Sequence, residues 1–315
     1  MNLIIKHKDF VIKYGLKLLP VIILGAIIFD LIRHDKIGIS LDFLQKQSWS
    51  KEQALWLIPI VGLMFLNWSF EAFKWKQLIR PFYSMSFKNA FKSIWSGVST
   101  ALTSPNRLAD FVGKVSHLPK KYRKKGVLAS FYSSYSQWLI TLFMGWIGWL
   151  YFGNIIIQNS FFKSVISVVG IVLALGLAVL FFYEKSTQLL PDKWKKHFKS
   201  SPNVKTKIII TGFSLLRYIA FATQFYLLFR FLGLELEYSS VFLKITLFYL
   251  ITSFVPASFF GELGIKESVA VWVFSGLVYN SLIIIVATIL LWLINLVIPA
   301  LIGNYFLFKI NTDSE

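Results

Sequence analysis

Arg217 stands ten residues into an apolar run, 208–231, and Thr211, Ser214 and Gln224 recur around it at helical spacing. On a helix these side chains share one face. A guanidinium offers a planar fork of donors, so the chemistry available there is the binding of a carboxylate or a phosphate. Burying it about 15 Å into a hydrocarbon layer costs at least ~2.5–3.5 kcal/mol. Either a carboxylate on another helix or an anionic ligand in a wet cavity would offset that cost.

A second polar stripe, Ser130, Ser133, Ser134, Gln137 and Thr141, lies in the run 127–152. It suits either a cavity wall or close helix packing by small residues. At the end of an earlier run, Asn67, Glu71 and Lys74 follow at four and three residues, with Trp75 next. Lys74 and Trp75 read as an interfacial ion pair with Glu71 beside an aromatic anchor.

Two breaks in apolar sequence concentrate further polar groups. Around the first, Ser104-Pro105-Asn106-Arg107 precedes Asp110, the pattern of a capped helix start with an acid in its first turn. Its exposed amides, with Arg107, suit a phosphate. Around the second, Pro256 and Gly261 are followed by Glu262, Gly264, Lys266 and Glu267. Glu262 and Lys266, four apart, can pair with each other or face a ligand.

The elements that must position these groups are membrane helices. Of 315 residues, 56% are hydrophobic and 15% charged, with mean hydropathy +0.63. Soluble domains carry about 25% charge, so a soluble enzyme is excluded. The absence of Cys removes disulfides and thiolate chemistry. The net charge of +18 is expected to follow cytoplasmic loops rather than to bind nucleic acid. Six runs are long enough to span: 14–32, 54–70, 127–152, 164–183, 208–231 and 281–308. Two more, 87–102 and 241–279, are broken.

Flanking charge orients them. Residues 71–126 hold twelve Lys and Arg and 184–207 hold seven, whereas 153–162 and 233–240 hold none. That bias places both termini in the cytoplasm. It also makes 87–102 a re-entrant hairpin that enters and leaves on the cytoplasmic side, since a crossing would strand basic clusters outside. The order span, span, broken hairpin, span then occurs twice, with starts at 14 and 164, 54 and 208, 105 and 256, and 127 and 281. The expected fold is all-α: a polytopic membrane helix bundle of about six full spans plus two broken, re-entrant hairpins. It forms one transmembrane domain, 1–315, built as inverted half-repeats of about 1–153 and 154–315.

At its breaks the sequence resembles the lysylphosphatidylglycerol synthase transmembrane domain family, also called flippase-like membrane proteins. The residues that carry the resemblance run from Pro256 through Gly261, Leu263, Gly264, Ile265 and Lys266 to Glu267. They also include Thr103, Pro105, Arg107, Ala109 and Asp110, and Glu71 with Lys74 and Trp75. The resemblance covers nearly the whole chain and implies a multi-pass protein of the bacterial or archaeal inner membrane that moves an anionic lipid or lipid-linked group. Lys266 stands where the family more often has Arg, which keeps charge but loses bidentate geometry. The chain ends seven residues after its last run, so the soluble synthase domain is expected to be absent and its activity is not carried over.

The function expected is a flippase or transporter for an anionic, phosphate-bearing lipid. Arg217, Arg107, Lys266, Ser104, Gln137 and Gln224 would bind substrate, with Glu71, Glu262 and Glu267 balancing charge or carrying protons. The partners implied are the membrane and an anionic phospholipid or a polyprenyl-phosphate-linked lipid, with homo-oligomerisation left open. No cofactor is expected, and no Gly-x4-Gly-Lys loop for nucleotide occurs. The alternatives are an intramembrane enzyme using Glu262 or Glu267 as general base on a lipid phosphate, and a non-catalytic membrane subunit.

Overall fold

A computed structural model describes residues 50–102, 109–153, 157–183, 202–254, 261–278 and 280–312, without the side chains of 261–265, 311 and 312. The run expected at 14–32 lies outside them. The described residues form helices and no strand. They are α1 (Lys51–Leu55), α2 (Leu57–Ile79), α3 (Phe87–Ala101), α4 (Asp110–Ser116), a 3-10 turn (Lys120–Tyr122), α5 (Arg123–Phe152) and α6 (Ser160–Phe182). After them come α7 (Val204–Phe231), α8 (Tyr238–Phe254), α9 (Gly261–Phe274), α10 (Ser281–Trp292), a π turn (Leu293–Val297) and α11 (Ile298–Thr312).

Local sequence accounts for most of the boundaries. Ser50, Ser86, Asn159, Asn203 and Asn280 each accept from a backbone amide of the first turn that follows, capping α1, α3, α6, α7 and α10. Gly233 closes α7 with a positive φ of 85°, a conformation open to glycine at little cost.

The helices carry apolar outer faces, and the charged groups they bury turn inward among apolar neighbours. In α2 the buried positions Ile60, Met64, Asn67, Glu71, Lys74 and Leu78 recur every three or four residues, while Ile58, Val61, Phe65 and Phe73 face outward. Of the residues in α6 only Phe181 is buried, and apart from Leu177 its Val and Leu side chains are exposed along its length. Such a surface is stable against hydrocarbon and not against water. Segments 51–79, 160–182, 204–231 and 281–310 are long and apolar enough to cross a membrane. Although α5 has 30 residues, it is not among them, because serines and Gln137 dilute its apolar run.

Residues 87–101 form one helix, and α4 returns along it. Ser93 Oγ donates to Lys114 O at 2.8 Å and Thr100 Oγ1 to Ala109 O at 2.8 Å, so α3 and α4 run antiparallel. A Cβ on Gly113 would lie 2.0 Å from Ser96 O, and one on Gly303 1.9 Å from Trp95 O. α3 is thus packed backbone to backbone against α4 on one side and α11 on the other. The second broken segment folds similarly: Lys244 Nζ, on α8, donates to Val273 O near the C-terminus of α9 at 2.7 Å. A cation there offsets the helix dipole.

One apolar core gathers Trp75, Ile79, Ile94, Trp95 and Val98 with Trp292 and Leu296. Another gathers Phe225, Leu228 and Phe229 with Ile245, Phe248, Phe274 and Ile284. A Cβ on Gly148 would meet Thr246 Oγ1 at 2.1 Å, so α5 and α8 touch at near-backbone distance. By contrast α6 hangs on α5 through tryptophan and tyrosine hydrogen bonds, Trp149 Nε1 to Ser167 Oγ at 2.9 Å and Tyr135 OH to Leu177 O at 2.8 Å.

Candidate functional site

Glu71 is the centre of a buried ionic cluster built from four helices. Its Oε2 lies 2.7 Å from Arg217 Nη1 and 3.1 Å from Lys74 Nζ, and its Oε1 lies 3.2 Å from Lys114 Nζ. Ser133 Oγ also donates to Oε1, at 2.9 Å. Lys114 Nζ reaches a second carboxylate, Asp110 Oδ2, at 2.6 Å, and Ser130 Oγ donates to Asp110 Oδ1. Among the described residues, two carboxylates therefore face three cations, a formal excess of +1.

Helical spacing assembles it. On α2, Asn67, Glu71 and Lys74 sit one turn apart; on α4, Asp110 and Lys114 are one turn apart. α5 supplies Ser130 and Ser133, and α7 brings Arg217 from 146 residues downstream of Glu71. The guanidinium is held at two further points: its Nε donates to Asn67 Oδ1 at 2.9 Å, and its Cζ lies 5.0 Å from the Trp68 ring centroid. Those contacts use Nε and Nη1. The Glu71 and Lys74 side chains are 5% and 0% exposed, against 19% for Arg217 and 29% for Asp110, so the cluster is sealed at its middle and accessible at its ends.

The expected interfacial setting of Lys74 and Trp75 is overturned. The Glu71–Lys74 pair forms, but both Lys74 and Trp75 are 0% exposed, because the helix expected to end at Phe70 continues to Ile79. Lys74 Nζ completes its shell with Ser133 O at 3.0 Å. Ser134 also departs from the expected stripe: it is exposed, and Ser136 turns inward to share a 2.9 Å hydrogen bond with Ser214. The buried face of α5 centres on Ser133, which puts Ser134 beyond its edge.

Arg217 and Glu71 are brought together, and the carboxylate-paired arrangement foreseen for Arg217 is the one observed. Gln137 approaches the same helix, its Nε2 donating to Ser214 O at 3.4 Å. Gln224 does not reach the cluster. Two turns along α7, it donates to Ile60 O at 2.9 Å and accepts from Asn295 Nδ2, in the π turn, at 2.8 Å. Ser104 and Arg107 lie outside the described residues, and the Glu262 side chain is not described. On α9, Lys266 is half-buried and Glu267 is buried at 5% exposure. The capped helix start expected around Ser104 and Pro105 falls outside the described residues as well, and α4 begins at Asp110 after Ala109.

Lys114 was missed because a lysine between basic loops looks like another loop charge. Its signal is Asp110 at i−4 in an otherwise acid-free stretch. Lys207 is another buried lysine without a sequence signature; it donates to Tyr183 O at 3.0 Å and lies over the Tyr132 and Phe181 rings. Ser96 Oγ and His117 Nε2, 2.8 Å apart, have the types of a nucleophile and a base. Ser96 is 0% exposed and also donates to Gly303 O, so the pair acts as a strut between helices. Burial, with Lys92 nearby, lowers the His117 pKa to about 4.

No curated protein and no solved structure matches the chain. Residues 43–303 match the family model described as the lysylphosphatidylglycerol synthase TM region, which takes in the whole ionic cluster and both helical hairpins. On that match, together with helices whose outer faces are apolar and whose charges turn inward, the chain belongs to the lysylphosphatidylglycerol synthase transmembrane-region family and is a multi-pass membrane protein related to lipid synthesis or flipping.

Proposed function

We propose that the protein moves an anionic, phosphate-bearing lipid between the leaflets of the inner membrane, with the ionic cluster around Glu71 as the place where the headgroup is met. The observation that carries this reading is the unequal count of charges in the cluster among the described residues: Lys74, Lys114 and Arg217 against Glu71 and Asp110. A buried charge excess is costly unless an anion completes it. A phosphodiester carries one negative charge and accepts from guanidinium donors, so it matches the sign of the excess and the partly exposed Arg217.

Neither hairpin needs to cross the membrane for this. The α3–α4 hairpin delivers Asp110 and Lys114 to the cluster, and the α8–α9 hairpin carries Lys266, Glu267 and Glu262 on the family's second motif. We take both as parts of inverted halves, about 1–153 and 154–315, with the headgroup passing between their tips while acyl or polyprenyl chains stay in lipid. Arg107 and Ser104 belong to the first tip in this reading, and Glu262, Lys266 and Glu267 to the second. Both termini face the cytoplasm, which keeps the basic segment 117–125 on that side.

The test is translocation in reconstituted vesicles. Headgroup-labelled phosphatidylglycerol in one leaflet is followed by quenching from outside, in vesicles with wild-type protein and with Arg217→Gln. The reading expects transport by the former and loss in the latter. Equal rates in both, with the variant folded, would refute it.

A further inference from the structure

The span 281–310 is not a uniform helix. Its middle, Leu293–Val297, is a π turn, in which the Ile298 N–H bonds back five residues to Leu293 O. Two residues past the turn stands Pro299. Proline brings no N–H, and in a regular helix its ring would press on the carbonyl four residues back, that of Asn295. A widened turn ahead of the ring relieves that clash and leaves the helix with a weak link.

The two halves of the span have different partners. α10 packs on α7 and α9, and its Ile284, Ala287 and Leu291 belong to the core around Phe225 and Phe274. α11 packs on α3 and, more lightly, on α4, while Trp292, Leu296 and Ala300 belong to the core around Trp75 and Trp95. The change of core falls between Leu291 and Trp292, at the edge of the π turn. The span thus ties the α8–α9 hairpin to the α3–α4 hairpin, with its weakest backbone between the two attachments.

What α11 grips moves with it. The close seats at Gly303 and Gly113 join α11, α3 and α4 through their backbones. Around that block, contacts are between side chains: Phe87 with Phe73 and Trp95 with Phe65, at centroid distances of 4.6 and 6.0 Å. Side chains slide past one another by small adjustments that backbone seats do not permit. The block's printed polar ties to α2 and α5 include Lys114 to Glu71 and Asp110 to Ser130. A latch holds the joint itself: Asn295, in the π turn, donates from Nδ2 to Gln224 Oε1 at 2.8 Å, and Gln224 donates to Ile60 O at 2.9 Å.

We infer that residues 293–299 are a joint through which the span couples the two hairpins, and that bending there decides whether Lys114 and Asp110 close on Glu71 or draw away from it. Their withdrawal removes one cation and one carboxylate together. Lys74 and Arg217 then face Glu71, the excess stays at +1, and room opens beside Glu71 without further unpaired charge. The inference rests on the transport reading for the role of the cluster; the jointed span stands on its own geometry.

Distances between spin labels test it. The chain has no Cys, so Lys88→Cys on α3 and Lys205→Cys on α7, both exposed, give one labelled pair. Pulsed electron paramagnetic resonance is recorded on the full chain in phosphatidylcholine nanodiscs, with and without phosphatidylglycerol. Two distances should appear, in a ratio that phosphatidylglycerol changes. Pro299→Ala supplies the missing N–H and removes the ring, and should shift the ratio about fivefold, the worth of one backbone hydrogen bond. Asn295→Ala releases the latch and should also shift it. A shift by either substitution supports the joint; a single distance in every sample, or a ratio that neither moves, overturns it. Translocation of headgroup-labelled phosphatidylglycerol by the same preparations separates the two readings. If the lipid crosses and leaves the ratio unmoved, the joint does not serve the cluster and the inference fails. If it neither crosses nor moves the ratio, the transport reading fails, and the two substitutions decide the joint alone.

Discussion

Arg217 and Glu71, separated by 146 residues in sequence, meet at 2.7 Å, and that contact is one of three that a single carboxylate makes with three cations. Cations and anion are therefore not interchangeable in what their loss does.

Glu71→Gln removes the shared carboxylate and leaves Lys74, Lys114 and Arg217 facing Asp110 alone. Removing one partner of a buried pair costs about 3–5 kcal/mol. The variant should show a markedly lower melting temperature in detergent. Adding Lys74→Met to it returns the cluster excess to +1 and should recover part of the loss; if the double variant is less stable than Glu71→Gln, the charge-balance account fails.

Arg217→Gln keeps two cations on Glu71 and should unfold close to the wild-type temperature. Translocation of an anionic lipid should nonetheless fall by at least about tenfold, because a charge-assisted hydrogen bond contributes roughly 1.5–3 kcal/mol. Melting curves and vesicle transport on one preparation separate the two effects.

Glycine replacements should divide sharply by position. At Gly303 and Gly113 a Cβ would fall within 2.0 Å of a backbone oxygen, so Ala must push α11 or α4 away from α3 at a cost of about 1–3 kcal/mol or more. At Gly62 and Gly212 nothing lies within 4 Å, and Ala should be neutral or stabilising by up to about 1 kcal/mol. Thermal unfolding of the four variants checks the order.

His117 gives the strut between α3 and the turn after α4 a pH dependence. Burial first, and Lys92 second, hold its pKa at about 4 against an ordinary 6.5. The unfolded chain therefore binds a proton in that interval while the folded one does not, and stability falls as pH drops from 6.5 toward 4, by up to about 3 kcal/mol. Above 6.5 and below 4 this contribution is flat. His117→Gln should remove that part of the pH dependence, and a variant profile parallel to wild type would show that other groups set it.

That 87–102 is a short helix apart from the long spans was legible because its two flanks are basic and its length falls short of a bilayer. Arg217 was legible because nothing else explains a guanidinium in the middle of an apolar run. Lys74 and Lys114 were misread for one reason: a charge census assigns each lysine to the nearest loop, and only packing reveals that α2 runs on to Ile79 and that α4 folds inward. Ser136 replaced Ser134 because the buried face of α5 is set by its neighbours α2 and α7, which periodicity within one helix does not contain. Pro299 alone does not reveal the π turn ahead of it, since a helix widens according to what each of its halves packs against.

The backbone-tight seat of α3 against Gly303 also bears on how the chain is made. Ser96 and Gly303 are 207 residues apart, so at roughly 5–20 residues per second the ribosome needs on the order of 10–40 s to supply the partner. During that interval the face of α3 that Gly303 covers has no partner. Chains truncated before α11 should be cleared by membrane proteases even though every charge of the ionic cluster has already been synthesised.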